Sequence, residues 1–433
     1  MKNKLFLSLF LTFISVSANC QVVMTLENAI DRALNNNFSI HIARNESEIK
    51  NNDATAGNAG MLPQVNGNVD YISSTNSTKQ SYSDGSEINK DGAKQTTLVA
   101  GVTLDWVLFD GLKMFASYDK LKALSEQGKI DLKIQMESVI VEVVKAYYGT
   151  VKESQLLKAL QESFTFYEDR LSIAEKRYTL GSSSKLGFLQ SKVDLNEQQA
   201  AILQQQENLI VARTELNRLL IYPVDSSFLV EDTIIFNYDP DYASLKTGLA
   251  NNIQLLSIEK NIGISRYTVN ELKGLRFPVI SANAGYLYSD NKNDAGFFLK
   301  NQTNSLQFGL TARYNLFNGF NTSRQIKNAN ISLLNSQLQL EETNHSLHAD
   351  LVIAYEHFKN SKNKLNLEED NIGYARENAF VFTESFRLGG ATILQVKFAQ
   401  ESLNDAIARL VNVRYETKIA EVELMRLTGQ LVK

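Results

Sequence analysis

The chain is short of several residue types, and each shortage excludes something. Among 433 residues there are one cysteine, one tryptophan, four prolines and four histidines. A lone cysteine, Cys20, rules out an internal disulfide framework. Of the histidines, only His345 and His348 lie three apart on a helical pattern, a spacing that can share a metal. No cysteine or paired acid completes a ligand set there, so no metal or cofactor is expected. No glycine-rich phosphate loop and no nucleophile elbow occurs, and an enzyme lacks the reactive constellation it needs. The six methionines do not cluster, which weakens a copper-export reading. A net charge of −4 lacks the basic excess of a nucleic-acid binder. Past the N-terminal segment, no apolar run approaches the ~20 residues that a membrane-spanning helix requires. The chain is nevertheless 43% hydrophobic and only 21% charged, so it folds.

The start, "MKNKLFLSLFLTFISVSANCQ", has Lys2 and Lys4, an apolar run from Leu5 to Val16, and small residues Ser17 and Ala18. This is the pattern of a secretory signal peptide over residues 1–20, cleaved after Ala18 or Cys20. Ser17 and Asn19 match a lipoprotein cleavage box poorly. Cys20 therefore reads as part of the signal, with a lipid anchor as the alternative. The mature chain is exported, and it either stays soluble or enters a membrane as strands.

Most of the rest is written twice. "LFDG" at 108–111 returns as "LFNG" at 316–319, an offset of 208. At that offset Gly101 meets Gly309, Ala146-Tyr147 meets Ala354-Tyr355, and Leu180-Gly181 meets Leu388-Gly389. Upstream the offset is 215, pairing Asn37 with Asn252, Pro63 with Pro278 and Tyr71 with Tyr286. The chain therefore divides into a first repeat at 21–222, a linking segment at 223–241, and a second repeat at 242–433.

Each repeat opens on a helix and continues with two period-two strands, near 64–74 and 97–108 in the first, and 279–289 and 305–316 in the second. Leu98, Ala100, Val102, Leu104 and Trp106 share one face, as do Leu306, Phe308, Leu310, Ala312 and Tyr314. About 9–11 residues is the length that crosses a bilayer at a tilt. Trp106 and Phe109, matched by Tyr314 and Phe317, stand near the strand ends, where rings suit a membrane interface. A soluble sandwich with one wet face is the alternative.

After the strands come proline-free stretches with helical apolar spacing, such as Val139, Val143, Ala146 and Tyr147. They predict long helical hairpins at 112–220 and 320–428. The outgoing helix of each would be roughly 100 Å long at 1.5 Å per residue. Rods of that length bury their stripes side by side, as in coiled coils. Each rod ends at a small-residue turn, "YTLGSSS" or "FRLGGAT", where glycine supplies the left-handed stop. Strands in lipid must close on themselves, and membrane barrels begin at about eight strands. Four strands supply only an arc of wall, so the chain must oligomerise.

These features together resemble the TolC/OprM family of bacterial outer-membrane efflux proteins. The residues that carry the resemblance are "TLENAIDRALNNN" at 25–37, "MLPQ" at 61–64, the paired "LFDG"/"LFNG", and "RYTLG"/"RLGG" at the turns. The resemblance implies a mainly α fold with a β-barrel segment: a homotrimer with a twelve-stranded β-barrel in outer-membrane lipid and a twelve-helix α-barrel in the periplasm. It implies a passive conduit for drugs or other small molecules, working with a periplasmic adaptor and an inner-membrane transporter of the RND or ABC type. It also makes Leu180, Gly181, Ser182, Leu388, Gly389 and Gly390 the adaptor-contact tips. Some members carry acidic residues six and nine positions past the second tip glycine, where they narrow the pore. Here Gln395 and Phe398 stand at those positions as the candidate pore constriction. Neither is acidic, which argues against an acidic gate, and a Phe398 ring would either close the pore by its bulk or serve helix packing. Type I protein secretion is the second reading, and a periplasmic coiled-coil scaffold without a pore is the rival from another class.

Overall fold

The computed structural model describes residues 23–236, 238–295 and 298–431. The signal peptide and Cys20 lie outside the described residues. In chain order the elements are β1 (Val23–Met24), α1 (Leu26–Asn36), α2 (Phe38–Asp53), β2 (Gln64–Ser81), β3 (Glu87–Phe109), α3 (Lys113–Thr179) and α4 (Lys185–Leu220). They continue with β4 (Leu229–Val230), α5 (Tyr242–Gly248), α6 (Ile253–Gly274), β5 (Val279–Asn293), β6 (Lys300–Arg313), α7 (Asn321–Leu388) and α8 (Ile393–Leu427). A single 3-10 turn, Leu249–Asn251, joins α5 to α6.

Two compact units result, and they cut across the sequence repeats. The first gathers the chain up to Asn37 with Ser138–Asp239 and Ala354–Glu423; the second comprises Phe38–Glu137, Pro240–Ile353 and Leu424–Lys433. Both units therefore draw on both halves of the duplication.

In the first unit the apolar stripe of α3 is buried, including Val139, Val143, Tyr147 and Val151, as are Leu216 and Leu220 of α4. The two-residue strands β1 and β4 pair in parallel there. The Tyr147 hydroxyl donates to the Met24 carbonyl at 2.9 Å and lies 3.3 Å from the Glu231 N–H. Burial pushes the Tyr147 phenol up to about 12, because the charged form would lose its water. The side-chain amide of Asn37 donates to the Leu219 carbonyl at the end of α4. In the second unit Asn252 makes the same bond to the Leu427 carbonyl at the end of α8. The sequence match of Asn37 with Asn252 is thus a match of two identical jobs: each satisfies a carbonyl that the last helical turn leaves open.

The second unit holds a four-stranded sheet in the order β2-β3-β5-β6, antiparallel at every pairing. Residues directly opposite share a face. Leu98 lies opposite Tyr71 and Asp290, Val102 opposite Gly67 and Tyr286, and Leu104 opposite Val65 and Ala284. One face therefore carries Val65, Val69, Leu98, Val102, Leu104, Tyr286, Tyr288, Leu306, Phe308 and Leu310. The other carries Asn66, Asn68, Asp70, Thr103, Asn283, Ser289, Gln307 and Thr311, with Ile72, Val99, Val107, Val279 and Leu287 as its apolar exceptions.

The strands exceed the spans read from alternation. β2 runs on to Ser81 and β3 begins at Glu87, because the ladder continues through polar residues that show no period-two signal. At the other end β6 stops at Arg313, paired with Val279. The next partner residue is Pro278, which has no N–H to continue the ladder. Tyr314 and Phe317 consequently lie beyond the strand, whereas Trp106 and Phe109 lie on β3.

Each "LFxG" sequence forms a joint between strand and helix. Gly111 and Leu112 both have positive φ (74° and 67°), and so do Gly319 and Phe320 (67° and 61°). The Asp110 carboxylate accepts from the Met114 N–H, capping α3.

Candidate functional site

The first unit carries both helical-hairpin turns. α3 ends with Gly181 at φ 72°, its N–H bonded to the Tyr178 carbonyl and the Ser182 N–H bonded to the Arg177 carbonyl. α7 ends the same way: Gly389 at φ 92° donates to Phe386, and Gly390 donates to Ser385. This doubly bonded stop needs a left-handed residue, which glycine adopts without a Cβ penalty. The Ser182 hydroxyl also donates to the Arg177 carbonyl. With the backbone so fixed, Leu180 and Leu388 are held out to solvent, 82% and 86% exposed.

Below the turns lies a cavity of about 520 Å3, with Ala174, Leu186, Phe386 and Ile393 among its apolar wall and Arg177, Gln190, Asp194 and Lys397 among its polar one. The Arg177 guanidinium stands 4.9 Å from the centre of the Phe386 ring. Gln395 sits at the start of α8, where its side-chain oxygen accepts from the Thr392 N–H (2.8 Å) and hydroxyl (3.0 Å). Thr392 and Gln395 form a threonine–glutamine capping box, so the Gln395 oxygen serves the helix itself. Phe398, one turn further on, is 60% exposed.

A buried ion cluster accompanies the turns. Asp194 of α4 accepts from Arg170 of α3 at 2.7 Å, from Lys397 of α8 at 2.9 Å and from Gln190 at 3.0 Å. Arg170 and Asp194 are almost fully buried, and the Arg170 guanidinium lies 4.8 Å from the Tyr167 ring centre. Burial draws the Arg170 guanidinium down from its ordinary value, with Asp194 pulling the other way. The bond from Asp194 holds the Lys397 ammonium above its ordinary value. Sequence reading missed this cluster, although one signal was available. Residues 170 and 194 are equidistant from Ser182, so an antiparallel hairpin must bring them opposite each other. Nothing in the spacing pointed to Lys397.

In the second unit, Trp106 is 41% exposed, and its indole N–H donates to the Met61 carbonyl at 2.9 Å. Phe109 is half-buried at the end of β3, opposite Ile280. Tyr314 and Phe317 are exposed, and Phe317 makes an edge contact with Phe320 at 5.4 Å. His348 turns its ring nitrogen to the Asn344 carbonyl of its own helix. Among the described residues no three histidine, cysteine, aspartate or glutamate side chains converge as metal ligands. No described helix is long and apolar enough to cross a membrane.

Comparison with known proteins bears on this arrangement. A protease secretion protein of Dickeya chrysanthemi, PrtF, is 21% identical over 96% of this chain and 91% of its own length. The outer membrane protein TolC of Vibrio cholerae is 21% identical over 87% of this chain and 84% of its own. Among solved structures, the outer membrane protein VceC of Vibrio cholerae superposes with a TM-score of 0.77 at 16% identity, covering 93% of this chain and 96% of that one. The CmeC outer membrane channel of Campylobacter jejuni gives 0.79 at 14% identity, covering 94% and 86%. At such identities the structural likeness speaks for the fold alone, and that fold is the mainly helical one of TolC-type channels. The sequence pattern of outer membrane efflux proteins matches residues 29–220 and 245–430, nearly the whole described chain. With its two strand pairs, its two glycine-stopped hairpins and this match, the chain belongs to the outer membrane efflux protein family.

Proposed function

We propose that three copies of this chain form the outer-membrane exit duct of a tripartite efflux system. The observation that carries this reading is the sheet: apolar on one face, polar on the other, with β2 and β6 as open edges. Open edges are not tolerated in lipid, so the edges of one copy meet those of its neighbours and three arcs close a twelve-stranded wall. The polar face lines the lumen and the apolar face meets lipid, with Trp106, Phe109, Tyr314 and Phe317 near the periplasmic boundary. The long helices continue the duct as a twelve-helix barrel. Leu180, Gly181, Ser182, Leu388, Gly389 and Gly390 meet a periplasmic adaptor, and Phe398 narrows the opening. An inner-membrane transporter of the RND or ABC type supplies the energy, and drugs or other small molecules pass through.

A second reading, type I protein secretion, draws on relatives named for protease secretion. Deleting the gene separates the two. Raised drug susceptibility with an unchanged set of extracellular proteins supports efflux; the reverse supports secretion.

The duct itself is tested by incorporating purified protein into planar bilayers. We expect discrete conductance from a heat-resistant oligomer; finding the protein as a non-conducting monomer in the periplasmic wash would end the reading. The double variant Leu180→Asp, Leu388→Asp should keep the conductance and lose efflux in cells. Both side chains are exposed, so the substitutions leave the fold alone.

A further inference from the structure

The register of the sheet sets three lysines side by side on one face. Lys292 of β5 lies opposite Thr96 of β3 and opposite Lys300 of β6. Lys94 stands two residues beyond Thr96, on the same side of β3, opposite Thr75. All three are exposed. Followed along the strands, this is the face of Leu98, Ala100 and Val102, of Tyr286 and Tyr288, and of Leu306 and Phe308. The sequence of chemistry along it is an apolar band, then tyrosines, then lysines.

Like charges directly opposite each other destabilise a sheet unless something lies between them. On this face the nearby carboxylate is Asp290, whose oxygen is 4.0 Å from the Lys300 ammonium. Asp294 follows the end of β5, where its N–H bonds to the Lys94 carbonyl. Neither Lys94 nor Lys292 has an ion-pair partner among the described residues. Lys292 is four residues past Tyr288, about 13 Å along a strand and about 10 Å of height at a typical barrel tilt. A tyrosine at the edge of the hydrocarbon therefore puts these ammonium groups at the depth of lipid phosphates.

We propose that Lys94, Lys292 and Lys300 bind the phosphate groups of outer-leaflet lipid headgroups, of the phosphorylated-glycolipid kind. The proposal rests on the sheet being a wall segment in the outer membrane. An ammonium group is a compact point charge suited to phosphate, and a headgroup phosphate lying between Lys292 and Lys300 relieves their repulsion.

The test is native mass spectrometry of the purified full-length oligomer with bisphosphorylated lipid A and with its chemically dephosphorylated form. The unsubstituted protein should bind the phosphorylated lipid more tightly. A basic residue near an anionic lipid surface is worth about fivefold in affinity, so the triple variant Lys94→Gln, Lys292→Gln, Lys300→Gln should bind up to about a hundredfold more weakly. Arg313→Gln, which removes a cation from the opposite face, should leave binding unchanged. Equal binding of the two lipids by the unsubstituted protein overturns the proposal and needs no variant to fold. Equal binding by the triple variant and its parent overturns it as well. Fractionation of the same cells separates the two levels of failure. A chain absent from the outer membrane ends the wall reading, whereas a chain present there with phosphate-independent binding ends only the lysine assignment.

Discussion

The two helical hairpins descend from one duplicated pattern, yet different chemistry holds each of them closed. In the first, α3 and α4 meet through polar groups: Arg170 with Asp194, Gln198 reaching the Leu160 carbonyl, and Gln205 reaching the Glu153 carbonyl. At the equivalent positions of the second hairpin stand Asn378, Ser402, Ala406 and Val413. Asn378 and Ser402 are exposed there, and the buried contact is made instead by Ala375, Ala379, Ala399, Leu403 and Ala406, with the ion pairs Arg409–Glu368 and Arg414–Glu369 joining the same two helices. The same backbone plan therefore tolerates a polar seam or a small-residue seam. A polar seam punishes the loss of one partner, because the other is left buried and unpaired. A small-residue seam punishes added volume.

The largest effect should come from breaking the polar seam. Asp194→Ala strands the Arg170 guanidinium and also releases Lys397, and it should cost about 3–5 kcal/mol in the thermal or denaturant unfolding of the detergent-purified protein. Ser402→Ala, its counterpart in the second hairpin, should stay within about 0.5 kcal/mol. The double variant Arg170→Met, Asp194→Leu should recover much of the loss; failure to recover would mean that the pair does more than fill space. Next in size is Ala406→Leu, which overfills the alanine seam and should cost about 1–3 kcal/mol by the same assay.

A further difference lies where the hairpins end. Ile221 follows α4 with φ 49°, and Gly429 follows α8 with φ 65°. At each end the same pair of backbone bonds forms: Ile221 and Tyr222 donate to the Arg218 and Asn217 carbonyls, and Gly429 and Gln430 donate to those of Arg426 and Met425. A β-branched side chain is costly in that conformation, and Asn217 compensates by tying the chain after Ile221 through the Val224 and Ser226 carbonyls. Ile221→Gly should therefore gain about 1 kcal/mol in unfolding free energy. Gly429→Ala should lose more than Ile221→Gly gains, since its Cβ would fall 2.4 Å from the Asn251 carbonyl oxygen.

Where one interaction repeats at a fixed interval, the sequence made it readable. The offset of 208 found the glycine stops at Gly181 and Gly389 and the joints at Gly111 and Gly319, and at all four the backbone is left-handed. Asn37 and Asn252 were matched by letter and proved to be matched by bond. Legibility failed wherever a partner on another element decides the outcome. The outer halves of β2 and β3 are polar on both sides, so no alternation marks them, and only the ladder extends them. The end of β6 is set by Pro278 across the sheet rather than by Tyr314 itself. The threonine three residues before Gln395 is the local sign of its capping bond, which the offset of 208 does not mark. The three lysines were visible as letters, but their common face depends on a register that no single strand contains.

Leu180 and Leu388 are anchored on turns that cannot fold back over them without surrendering the bonds that stop the helices. The chain cannot shelter these side chains by itself. Each would contribute about 1.5–3 kcal/mol to the binding of any molecule that covers it.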